Sequence, residues 1–83
     1  VWVDGDVTDM QMTLITELHE SMQQHNIEAE IEIAMTERTD GVWTIEKEVK
    51  GELGTEQNML LDQLMVSLGD SYTSVRIKIK HDA

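Results

Sequence analysis

The chain has 83 residues, with 17 acidic against 6 basic side chains (a formal charge of −11) and neither cysteine nor proline. That length holds one modest core. The missing cysteine excludes a disulfide framework or thiolate metal centre, and the charge opposes nucleic-acid and anionic-membrane binding, both of which draw on Lys and Arg.

Val1-Trp2-Val3 is a short apolar run closed by Asp4-Gly5-Asp6. Thr8 with Gln11 makes a capping-box pattern, and Val7 with Met12 has the spacing of a hydrophobic staple. Leu14, Ile15, Leu18 and Met22 follow at helical spacing, and His25-Asn26 predicts the helix end, since asparagine tolerates the left-handed conformation.

From Ile27 to Met35 every odd position is apolar, while Glu28, Glu30 and Glu32 hold even positions. Successive strand side chains point to opposite faces, so the pattern predicts one apolar and one acidic face. Thr39-Asp40-Gly41 predicts a hairpin. On the returning strand, Trp43, Ile45 and Val49 face one way and Thr44, Glu46 and Glu48 the other; Lys47 breaks the pattern, through either a bulge or a frayed edge. Gly51 and Gly54 bracket a connection to a helix over roughly 55–68, with Leu60, Leu61, Leu64 and Leu68 at helical spacing and Gly69 as C-cap. The last strand alternates Val75, Ile77 and Ile79 with Arg76, Lys78 and Lys80, the acidic pattern with its charge reversed.

A shift of 46 lays the chain over itself. Val3/Val49, Gly5/Gly51, Gln11/Gln57, Leu14/Leu60, Leu18/Leu64, Ser21/Ser67, Ile31/Ile77 and Ile33/Ile79 coincide without a gap. The paired Val-x-Gly-acidic-aliphatic openings point beyond helical periodicity to a duplicated βαβ unit, with halves at approximately 1–36 and 42–81 of a single domain 1–83.

Two βαβ halves joined by a hairpin resemble the α+β, ferredoxin-like split βαβ plan, βαββαβ. The resemblance implies two helices on one face of a mostly antiparallel sheet in order 4-1-3-2, with the second and fourth strands at its edges. The first strand is short for a central place. Either residues precede Val1, or a shorter strand is tolerated, or the fold is a three-stranded αββαβ variant. A valine at position 1 fits a processed or excised chain.

The chemistry usually carried by such folds is missing. There is no Cys-x-x-Cys for copper, no aromatic and basic sheet face for RNA, and no arginine in a phosphate loop. Gly51-Glu52-Leu53-Gly54 matches a KH-type GxxG, but its acidic residue and its place between strand and helix read as a tight turn. His19 and His25 lie on different faces of one helix, and His81 falls in a tail expected to fray. A flat ladder of Glu28, Glu30 and Glu32 offers no cage for a hard cation, and the methionines read as core filler. No nucleophile–base pair is legible, so neither an enzyme nor a cofactor or metal is expected.

The binding residues read from this pattern are Glu28, Glu30, Glu32, Glu46, Glu48 and Trp2, the tryptophan exposed among charges as contact hot spots are. They point to an acidic, non-enzymatic interaction module, an inhibitor or regulator offering carboxylates to a basic, nucleic-acid-binding protein, with no direct nucleic-acid or membrane contact and a cytoplasmic setting. The size, acidity and ββαβ second half are similar to those of the small phage uracil-DNA glycosylase inhibitors, on topology and charge alone. Alternatives are an ACT-like ligand-binding regulatory domain, or a designed or excised domain without activity. Opposite charges on the two expected edge strands also suggest a homo-oligomer through those edges, unless the strands are neighbours within one molecule.

Overall fold

The computed structural model describes residues 1–83. Six elements follow in order: β1 (Trp2–Gly5), α1 (Asp9–Gln24), β2 (Ala29–Glu37), β3 (Trp43–Gly51), α2 (Thr55–Gly69) and β4 (Val75–His81). This is an α+β fold in which two helices cover one face of a four-stranded antiparallel sheet.

Local chemistry sets the boundaries. The Thr8 hydroxyl accepts from the Gln11 N–H at 3.1 Å while the Gln11 side chain accepts from the Thr8 N–H at 2.9 Å, closing the capping box on α1. The C-cap is His25, and Asn26 turns the chain out at φ 51°. Val7 packs against the core but Met12 is exposed, so the expected staple has only its first half. In α2 the C-cap is Asp70, with Gly69 the last helical residue, and the left-handed turn falls at Tyr72 (φ 48°). The Asp40-Gly41 hairpin closes where the Arg38 N–H donates to the Val42 carbonyl at 2.8 Å.

The strand order is β1-β4-β2-β3, not 4-1-3-2, so β2 and β4 are central neighbours and the edges are β1 and β3. The four residues of β1 pair only with Val75–Lys78, whereas β2 and β4 pair along seven, from Ala29↔His81 to Met35↔Val75. The central pairing sets Glu30 against Lys80 and Glu32 against Lys78, opposite charges directly across the ladder, which favours β2 and β4 as neighbours. The pairing of β2 and β4 through one another as outer edges of separate molecules is thereby removed.

The duplication is visible residue by residue. Under the shift of 46, the β1–β4 pairs Val3↔Ile77 and Asp4↔Arg76 become the β3–β2 pairs Val49↔Ile31 and Lys50↔Glu30. Gly5 (φ 115°) and Gly51 (φ 96°) are equivalent. A Cβ on the first would stand 2.5 Å from the Ser74 carbonyl oxygen, and on the second 2.7 Å from that of Glu28, itself the equivalent of Ser74. Positive φ and close backbone approach both select glycine, which explains the repeated Val-x-Gly. Asn26 and Tyr72, the two non-glycine residues at positive φ, are equivalent too. Between the helices, Gln11 Nε2 donates to the Ser67 carbonyl and hydroxyl at 3.2 Å, and Gln57 Nε2 donates to the Ser21 hydroxyl at 2.7 Å. Each half thus lends its glutamine to the other half's serine.

The core lies between the layers. Ile15, Leu18 and Met22 from α1 and Leu61, Leu64 and Leu68 from α2 meet Ala29, Ile31, Ile33 and Met35 of β2 and Val75, Ile77 and Ile79 of β4. Trp43 packs on its margin and meets Tyr72 edge-on at 6.3 Å. The β2–β3 register is continuous through Ile33↔Lys47. Lys47 therefore sits in no bulge; it points to the helix side of an edge strand and stays exposed there.

Candidate functional site

The helices leave the other sheet face uncovered, and strand parity fills it with charge. Across the strands from β1 to β3, one row reads Trp2, Lys78, Glu32, Glu48; the next reads Asp4, Arg76, Ala34, Glu46. A third row holds Lys80, Glu30 and Lys50. Trp2, Glu30, Glu32, Glu46 and Glu48 share this face, and Glu28 lies just before β2 at its rim, beside Lys50, Lys80 and Asp82.

The carboxylates expected on this face are there, but they are interleaved with cations. Four of the six basic residues, Lys50, Arg76, Lys78 and Lys80, stand among the five strand carboxylates of the face. Lys78 Nζ lies 3.4 Å from Glu32 Oε1, and Glu30 is flanked by Lys80 and Lys50. The sequence favoured β2 and β4 as separate edges and left open that they are neighbours within one molecule; the structure has the second arrangement, and their charges meet. Their reversed alternation carried that signal.

The acidic excess lies on the other side. Apart from Glu28 and Asp82 at the rim of the sheet face, beside Lys50 and Lys80, ten carboxylates share the rest of the molecule with only Arg38 and Lys47. No lysine or arginine occurs in residues 1–37 or 51–75, the stretches holding both helices and their flanking loops. Asp9, Glu17, Glu20, Glu56 and Asp62 are exposed on those helices. Among them stand Met10, Met59 and Val66, all more than half exposed. Gln11 reaching Ser67 puts the start of α1 beside the end of α2, so Met10 and Val66 share one end of the helical layer. The core uses neither methionine nor Val66, so reading the methionines as core filler passed over two that stand exposed on the helices.

A shallow depression of about 760 Å³ lies on the open face over Ala34, between Trp2, Glu32, Glu46 and Arg76. Trp2 is 52% exposed at its side. No group of three His, Asp or Glu side chains is placed to hold a metal ion. Of the histidines, His25 Nε2 lies 3.1 Å from Glu56 Oε2, and His81 Nδ1 donates to the Ile27 carbonyl at 2.8 Å. Neither bond activates a hydroxyl. The second holds the end of β4 against the residue that leads into β2, so His81 is ordered at a strand end and not frayed. No helix is long and apolar enough to cross a membrane. The arrangement offers two chemically different surfaces, one acidic with exposed apolar side chains and one of alternating charge. No family model, curated protein or solved structure matches the chain.

Proposed function

We propose that this protein is a non-enzymatic interaction module that engages a basic protein partner through its acidic helical layer. The observation that carries this reading is the charge partition: both helices and their loops lack any lysine or arginine, whereas the sheet face is nearly balanced. Such a field draws a cationic partner and speeds its encounter. Met10, Met59 and Val66 supply adaptable apolar contact beside the carboxylates. A basic amphipathic segment, apolar on one side and lysine- or arginine-rich on the other, matches both features. The carboxylates would there stand in for the anions that such a partner otherwise binds, which keeps an inhibitory or regulatory role within this reading.

Titration of the labelled protein with a lysine-rich amphipathic peptide, followed by amide chemical shifts, tests it. Shifts are expected along α1 and α2. A Glu17→Gln, Glu20→Gln, Asp62→Asn variant should bind about tenfold more weakly or worse, as loss of several steering charges implies. A Glu30→Gln, Glu32→Gln variant should bind as the wild type does. The reverse pattern, with the sheet variant weakened and the helix variant unchanged, overturns the assignment of the surface; no binding by any of them overturns the function.

A further inference from the structure

We propose that the open sheet face is a self-association surface, on which a second copy of this chain docks face to face about a two-fold axis running along the strands, between β4 and β2. This goes beyond the proposed function, which uses the opposite side of the molecule, so either can fail without the other.

Charge complementarity carries the inference. The repeat inverts charge on this face: Glu30 is equivalent to Arg76, Glu32 to Lys78, and Asp4 to Lys50. The basic column Arg76, Lys78, Lys80 on β4 therefore runs directly beside the acidic column Glu30, Glu32 on β2. Turning a second copy over about an axis along the strands exchanges the columns. Lys80 then lies over Glu30 of the second copy, and Lys78 over its Glu32, each contact occurring twice, as an isologous interface requires. Arg76 lies over Ala34 of the second copy, at the floor of the depression. Trp2 lies over Glu48 of the second copy, with that copy's Lys50 one row along β3 and its ammonium within reach of the ring. One like-charged meeting, Asp4 over Glu46, falls beside Arg76. Turning the copy about an axis across the strands instead sets Lys80 over Arg76 and Glu30 over Ala34, which opposes association.

The distribution of the remaining charge points the same way. In a molecule of −11, approach through any helical surface brings carboxylates together, whereas this face is nearly balanced and its docking leaves both acidic layers pointing outward. The contact is polar and small, four strands about 4.8 Å apart, so the dimer is weak and wet, held by complementarity more than by apolar burial. It would present two acidic layers at once, and so bind a basic partner with two sites more tightly than a monomer does.

Sedimentation equilibrium from about 10 μM to about 1 mM, a range suited to weak self-association, decides it. The wild type should show a monomer–dimer equilibrium. Lys78→Glu sets like charges against Glu32 of the second copy and should weaken the dimer about tenfold or more. Adding Glu32→Lys restores both the internal pair and the contact between copies, and should recover the dimer. Ala34→Arg fills the depression without removing any pair, and should also abolish association while circular dichroism shows the fold intact; this variant decides the matter if Lys78→Glu disturbs folding. A wild type monomeric throughout, or a dimer indifferent to Ala34→Arg and Lys78→Glu, overturns the proposal.

Discussion

Gln11 and Gln57 are buried polar residues that would ordinarily weaken a core. Each is satisfied by a serine on the other helix, and no buried side-chain polar atom is left without a partner. Gln57→Ala strands the Ser21 hydroxyl and should cost about 1–3 kcal/mol, the range for a buried group losing its partner. Gln11→Ala should cost more, because Gln11 also closes the capping box on Thr8. Equilibrium denaturation of the two variants checks the order; equal or inverted losses would mean the capping box contributes nothing. The fully buried Leu18 and Leu64 test the layer contact itself. Each Leu→Ala change should cost about 2–5 kcal/mol. A loss below about half a kcal/mol at both sites would contradict the packing, since even a well-collapsed leucine cavity costs more.

Among the elements, β3 is the long exposed edge, nine residues with one side of its ladder unpaired. Lys47 points to its helix side, the position where a charge blocks docking of another strand. Lys47→Ile should leave stability unchanged or raise it slightly, yet make the protein aggregate faster on warming, followed by light scattering. Unchanged aggregation would show that Glu46 and Glu48 guard the edge without it. The alternation Ile31, Ile33 and Val75, Ile77, Ile79 made the core face legible in the sequence, and Thr8 with Gln11 made the start of α1 legible, because both signals are local. The strand order was not, since alternation names a face but not a neighbour. The informative residues were Glu30, Glu32 and Lys78, Lys80, whose signs are opposed. The candidate site shared that fate. Its residues were recognised one by one, but the cations between them belong to a strand 45 or so positions away, and only pairing in space sets them side by side.

Across the whole molecule, ten carboxylates away from the sheet face and its rim have two cations for company. Their mutual repulsion lowers the stability of the compact state, and salt screens it over a Debye length that falls to about 8 Å near physiological ionic strength. The melting temperature should therefore rise with sodium chloride from low ionic strength to that level. The half-exposed Glu32–Lys78 pair, worth about 0.2–1 kcal/mol at most, is too weak for its screening to reverse the trend. A melting temperature that is flat or falls would mean that favourable pairs outweigh repulsion.

The charge partition depends on β2 and β4 being neighbours within one chain, for that pairing sets cations among the carboxylates of the sheet face and leaves the acidic excess on the helices. A chain without cysteine allows a clean test: the double variant Glu32→Cys, Lys78→Cys, oxidised at low concentration and followed by mass and by mobility without reductant. Facing residues of an antiparallel pair have Cα atoms about 4.5–5.5 Å apart, within disulfide reach. The account predicts rapid formation of a disulfide within the monomer. In the order 4-1-3-2 the two strands would be opposite edges about 14 Å apart, three strand spacings. Failure of the monomer to close, or closure only between molecules, would contradict the account.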